Sequence, residues 1–97
     1  MTAYRYPVPF GDKRTAALFQ DERVHQFAGI ARVAKRKLEA VNAASRLEDL
    51  AIPPSNRLEK LKGGLKGFYS IRINDQWRVI FRWRHGEPHE VGIVDYH

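Results

Sequence analysis

From Phe27 to Val41 apolar residues recur at steps of three and four: Phe27, Ile30, Ala31, Ala34, Leu38 and Val41. That spacing is one buried face of an α-helix, with Arg32, Lys35, Arg36, Lys37 and Glu39 on its solvated remainder. Beyond Pro53-Pro54 the period changes to two. Tyr69, Ile71 and Ile73 alternate with polar neighbours, as do Trp77, Val79, Phe81 and Trp83, while Arg78, Ile80, Arg82 and Arg84 take the other face. Such segregation predicts half-buried antiparallel strands over 68–74 and 77–84, with a last strand over 89–95 placing Val91 and Ile93 inward. Asn74-Asp75-Gln76 and His85-Gly86-Glu87-Pro88 supply the turns. A shorter strand is expected over 57–61, and Gly63-Gly64 with Gly67 encloses a flexible loop.

The N-terminal half carries weaker signals. Tyr4, Tyr6, Val8 and Phe10 alternate, but Pro7 and Pro9 restrict a strand there to a sheet edge or an extended arm. Gly11-Asp12 reads as a turn, with Asp12 capping a short helix that holds Ala16, Leu18 and Phe19 and ends near Glu22. Ser45-Arg46-Leu47-Glu48 fits a capping box for a further helix over 46–50, which Pro53-Pro54 stops. The expected architecture is therefore α+β: N-terminal helices packed on one face of a small twisted antiparallel sheet.

Composition narrows the function. At 97 residues the chain is one small domain, 1–97. It has no cysteine, hence no disulfide and no thiolate chemistry. No apolar stretch approaches the roughly 20 residues needed to span a bilayer, and the start lacks an apolar signal region, so a cytoplasmic location is expected. Net charge is +6, with a pI near 10.0. The charge is concentrated: residues 57–89 hold eight basic and three acidic side chains, while the rest of the chain is nearly neutral. A basic cluster set among aromatics is the footprint of a polyanion site.

Cleaving RNA without a metal needs a base for the 2′-hydroxyl, cations around the phosphorus and an acid for the departing 5′-oxygen. The C-terminal half offers all three. Asp95-Tyr96-His97 ends the chain directly after a strand, and His97 brings an imidazole, a side chain able to exchange protons near neutral pH. Arg78 follows Trp77 on the polar strand face, where a guanidinium fork suits bidentate phosphate binding. Arg82 and Arg84 share that face and are placed to follow an RNA backbone, as are Lys60 and Lys66 beside Lys62 at the glycine loop. Glu59 is a candidate base, equally readable as a strand carboxylate paired with lysine. The four histidines have no metal-ligand spacing, so no metal and no cofactor is expected. Trp77 and Trp83 read as packing residues.

Three blocks closely resemble the HigB toxins of the RelE/ParE superfamily. They are Arg57-Leu58-Glu59-Lys60-Leu61-Lys62-Gly63, Tyr69-Ser70-Ile71-Arg72-Ile73-Asn74-Asp75-Gln76-Trp77-Arg78-Val79-Ile80-Phe81, and Val94-Asp95-Tyr96-His97. The resemblance implies a RelE-like fold of N-terminal helices on an antiparallel sheet. It also implies metal-independent cleavage of mRNA in the ribosomal A site by a toxin of a type II toxin–antitoxin system. Its implied partners are a cognate helix-turn-helix antitoxin, the ribosome with its mRNA, and operator DNA through the toxin–antitoxin complex alone. Carried over residue by residue, it assigns the phosphate-contacting arginine to Arg78, the lysine before the glycine to Lys62, and the closing triplet to Asp95, Tyr96 and His97. Some ribonuclease members have a histidine where this chain has Glu59, which leaves the base open between Glu59 and His97. The alternative within the superfamily is a ParE-like, non-enzymatic inhibitor of DNA gyrase, a branch that lacks the terminal Asp-Tyr-His.

Overall fold

The computed structural model describes residues 10–96. The expected strand through Tyr4, Tyr6 and Val8 lies outside that range; Phe10 forms a parallel bridge to Val91. Helix α1 spans Lys13–Phe19 and α2 spans Ala31–Ala43. Strands β1 (Glu59–Lys60), β2 (Tyr69–Arg72), β3 (Trp77–Arg84) and β4 (Glu87–Asp95) follow. They form one antiparallel sheet in the order β1-β2-β3-β4. The helices-on-a-sheet architecture expected from the periodicities is the one observed.

Asp12 caps α1 as anticipated. Its carboxylate accepts from the Thr15 amide at 2.8 Å and from Thr15 Oγ1 at 3.0 Å. That hydroxyl in turn accepts from the Ile93 amide at 3.1 Å. The cap therefore also satisfies a buried donor on the outer edge of β4, an edge that would otherwise be open to pairing.

The face of α2 read from its periodicity is the buried one. Ala34, Leu38 and Val41 pack against Ile71, Val79, Phe81 and Ile93. Phe27 precedes the helix in a 3-10 turn, His25–Phe27, and meets Trp77 edge-on with ring centroids 5.7 Å apart. Trp83 stands edge-on to Phe81, so both tryptophans pack as expected. Two lysines on the polar side of α2 do more than face solvent. Lys35 Nζ donates to the Phe19 carbonyl and to Asp21, both at 2.7 Å, placing a cation at the C-terminal end of α1. Lys37 Nζ reaches Asn56 Oδ1 at 2.5 Å. Burial, with Arg36 beside it, holds the Lys37 ammonium below the usual lysine range.

Three local expectations need correction. The capping acid before the 3-10 turn Leu47–Ala51 is Asp49 in place of Glu48, since the N-cap is Arg46. Asp49 accepts from the amides of Ser45 and Arg46, each at 3.0 Å. The turn after β3 is shorter than 85–88: His85 and Gly86 both have positive φ. That is the two-residue geometry matching strand twist, so β4 starts at Glu87. Lastly, the far face of the sheet is not uniformly polar, because Ile80 and Leu61 are buried. The glycine segment itself is a 3-10 turn, Gly63–Leu65.

The Arg46 amide first, then the Ser45 amide, lower the Asp49 pKa below its ordinary value. A depressed carboxyl contributes stability that is complete above its unfolded pKa and vanishes as pH falls through the folded one. Asp49→Ala should therefore lower Tm at pH 7, and the deficit against the parent should shrink as pH falls through the acid range. An equal deficit across that range would rule out the cap.

Candidate active site

Residues paired across antiparallel strands point to the same face. Arg72 pairs with Arg78 and Arg78 with Val94. Glu59 pairs with Ser70, Ser70 with Ile80 and Ile80 with Gly92. These two rows lie on the face away from α2, because Ile71, Val79 and Ile93 between them fill the core. Tyr96 follows Val94 by two residues and falls on the same side.

A hollow of about 720 Å³ opens at the Arg78 end of this face. Arg72 and Arg78 lie along one side of it. The 54–55 turn and Arg57 form one wall, Asn74 and Asp75 another, and Tyr96 a third. The wall at Asn74 is shaped by an Asx turn: Asn74 Oδ1 accepts from the amides of Gln76 and Trp77, both at 2.8 Å. The opposite wall hangs on Asn56, which is buried. Its Nδ2 donates to the carbonyls of Leu50 at 3.1 Å and Ile52 at 3.3 Å, while its Oδ1 accepts from Lys37 Nζ.

Arg78 is the centre of the hollow and is not a surface residue; only 9 % of it is exposed. Its Nη1 donates to Ser70 Oγ at 2.9 Å and to the Arg57 carbonyl at 3.3 Å, and stands 3.4 Å from a Glu59 oxygen. Its guanidinium lies over the Tyr96 ring, 5.0 Å from the centroid. A buried guanidinium held on several sides is fixed in position before any ligand arrives, and Arg78 lines the hollow. Arg72 is paired with Asp75.

Arg78 thus touches both Glu59 and Tyr96; Tyr96 lines the hollow, and Glu59 stands behind Arg78 without lining it. His97 lies outside the described residues. Asp95 is on the other face: it pairs with Trp77, and its carboxylate accepts from Gln76 Nε2 at 2.9 Å. Its link to the hollow is indirect, through the Tyr96 amide that donates to the Gln76 carbonyl at 2.6 Å. Lys60, Lys62 and Lys66 surround a separate depression around Leu61 and Gly63, so Lys62 does not line the hollow that Arg78 does.

Arg82 and Arg84 do not line the hollow. Both are drawn to one carboxylate, Glu90, at 3.1 Å and 3.7 Å. The Arg82 guanidinium also stacks over Phe68, 4.2 Å from the ring centroid. It fills the space beside Gly67, where φ is +96° and a Cβ would collide with it. These charges are tied to a glutamate and a ring at the far end of β3, away from the residues that line the hollow. Arg57 and Arg72 are the site residues that sequence reasoning left out. The alternation in β2 already put Arg72 opposite Ile71 and Ile73, on the face of Arg78. Nothing local marked Arg57.

Among the described residues no three His, Asp or Glu side chains gather as a metal would need, and no helix is long and apolar enough to cross a membrane.

A family model described as a RelE-like toxin of the type II toxin–antitoxin system HigB matches residues 8–97. Toxin HigB-1 of Vibrio cholerae serotype O1 is 44 % identical over 79 residues, covering 79 % of this chain and 83 % of the relative. Endoribonuclease HigB of Proteus vulgaris is 30 % identical over 61 residues, 63 % of this chain and 65 % of that one. In fold, the chain is similar to a chain of the YoeB-YefM complex from Staphylococcus aureus. The TM-score is 0.57 at 20 % identity, over 96 % of this chain and 98 % of the other. These matches give no support to the gyrase-inhibitor alternative. With the family model spanning nearly the whole chain and the terminal blocks in place, the protein belongs to the HigB toxins, RelE-like toxins of type II toxin–antitoxin systems.

Proposed function

We propose that the protein is a ribosome-dependent endoribonuclease whose reaction centre is the hollow at Arg78. The observation that carries this is a fixed, buried Arg78 with a carboxylate, Glu59, 3.4 Å away and an aromatic ring, Tyr96, 5.0 Å away on one sheet face. A relative named as an endoribonuclease supports the same reading.

In this mechanism Glu59 removes the proton from a 2′-hydroxyl, and the oxygen attacks the adjacent phosphorus. The bond to the 5′-oxygen breaks, leaving a 2′,3′-cyclic phosphate and, once His97 has supplied a proton, a 5′-hydroxyl. Arg78 and Arg72 hold the non-bridging oxygens as negative charge builds on them. Tyr96, 41 % exposed, offers a stacking surface for a base. Asp95 acts as a positioning residue through Gln76, and Lys60, Lys62 and Lys66 contact the RNA strand or ribosomal RNA outside the hollow. The partners that follow are the translating ribosome with its mRNA, a cognate helix-turn-helix antitoxin that holds the toxin inactive in the cytoplasm, and operator DNA reached only through the toxin–antitoxin complex. Docking through phosphates should weaken steeply with salt.

The test is mapping of mRNA 5′ ends in a translating extract. The parent should cut within translated codons. Glu59→Gln should cut about 100-fold more slowly or worse, the usual scale for losing a general base, and His97→Ala should also be impaired. Intact mRNA with the parent would rule out the ribonuclease reading. A fast Glu59→Gln variant would transfer the base role to His97.

A further inference from the structure

Arg57 stands in the wall of the hollow in a conformation that its residue type disfavours. Its φ is +48° and ψ 56°, in the left-handed region. Glycine and asparagine adopt that region readily and a long side chain does not. Arg57 ends the 3-10 turn Pro54–Asn56, and the preceding residue, Asn56, is locked by the hydrogen bonds to Leu50, Ile52 and Lys37. Its own carbonyl accepts a hydrogen bond from Arg78 Nη1. The backbone of Arg57 is therefore held from both sides while its side chain remains exposed at the hollow.

Its charge also differs from that of the neighbouring arginines. Arg72 faces Asp75 and Arg78 faces Glu59. Arg57 has no acidic partner among the described residues. It lies two residues before Glu59, whose partner is Ser70, just as Arg72 lies two residues after Ser70. Arg57 precedes β1 and lies outside its pairing with β2, but it lines the hollow together with Arg72 and Arg78. With Arg72 and Arg78 on the reacting phosphate, the Arg57 cation in the wall of the hollow is left for another anion of the RNA strand.

We infer that Arg57 binds a second phosphate of the RNA, adjacent to the one that reacts, so that the hollow takes a strand with at least two consecutive phosphates. This rests on the ribonuclease reading of the same hollow. Such a contact sets where the strand lies, and it acts mainly on binding.

The test uses ribosomes programmed with a defined mRNA and single-turnover cleavage at increasing toxin concentration. Arg57→Asn removes the cation and suits the left-handed backbone, so the variant should fold at least as well as the parent, with an equal or higher Tm. Its half-saturating concentration should rise about tenfold while the limiting rate falls less than threefold. The slope of log affinity against log salt should lessen by about 0.7, the value for one phosphate contact on a single strand. Arg57→Lys should recover most of the loss. The source of the phosphate is identified with mRNAs that carry one uncharged methylphosphonate on either side of the cleaved linkage. At one of the two positions the parent should lose what Arg57→Asn loses, and Arg57→Asn should lose nothing more. If the two losses multiply at both positions, or the salt slope is unchanged, the inference is wrong; multiplication with a reduced slope assigns Arg57 to ribosomal RNA instead. A parent that leaves the mRNA whole overturns the ribonuclease reading and this inference together, whereas a cutting parent with an Arg57→Asn that matches it overturns this inference alone.

Discussion

Replacing Arg78 by alanine should slow mRNA cleavage about 100- to 1,000-fold, the usual cost of removing one preorganised donor to a developing oxyanion. The variant should also lose stability, about 1–3 kcal/mol, because Ser70 Oγ is left buried without its donor and the Arg57 carbonyl loses a partly buried one. The two effects can be separated. Ser70→Ala combined with Arg78→Met removes donor and acceptor together, which restores much of the stability, since paired removal is close to neutral. It restores none of the cleavage. Arg78→Lys tests the fork: a lysine keeps the charge but cannot reach Ser70, Arg57 and a phosphate at once. Cleavage should recover by less than tenfold. Urea unfolding beside the cleavage assay reads both quantities. A double variant that regains activity with stability would show that Arg78 serves the fold alone.

The largest loss of stability is expected at Phe81. It is fully buried, in the middle of β3, between the ring of Tyr69 at 6.1 Å and that of Trp83 at 6.4 Å. Phe81→Ala deletes a ring that α2 and the sheet cannot close over, and should cost about 3–5 kcal/mol. For a domain of this size that is a large share of the whole stability. Thermal unfolding should show a lower Tm and a loss of the near-ultraviolet signal of the tryptophans. Phe81→Leu, which retains most of the volume, should cost distinctly less. Because β3 also carries Arg78 three residues away, Phe81→Ala should blunt cleavage only near its own melting range. A fall in activity far below that temperature would mean that the core sets the geometry of the hollow directly.

The amphipathic period of α2, the alternation in β2 and β3, the Asp12 cap and the turn at Asn74 were legible in the sequence because each is a local arrangement. A helix face, a pleat, a cap or an Asx turn involves residues within a few positions of one another. The family was legible too, since the resemblance rests on the order of three blocks along the chain. Other features depended on distant partners. That Arg78 is buried follows from Ser70 and Glu59 on two other strands. That Arg82 and Arg84 are held by Glu90 follows from the pairing of β3 with β4, shifted by an irregularity between Ile80 and Arg82. That Asp95 faces away from Tyr96 follows from strand parity, which a motif read as a unit conceals.

By itself, then, the sequence determined the elements, the helices-on-sheet layering and the basic character of the C-terminal half, because these rest on periodicity and composition. Only the tertiary structure decided which cations share a hollow. It set Arg72 and Arg57 beside Arg78, put Lys62 elsewhere and neutralised half of the remaining charge on β3. The reason is physical: charge acts through distance in space, and the distances between side chains on different strands are fixed by register and by the turn that Asn56 anchors.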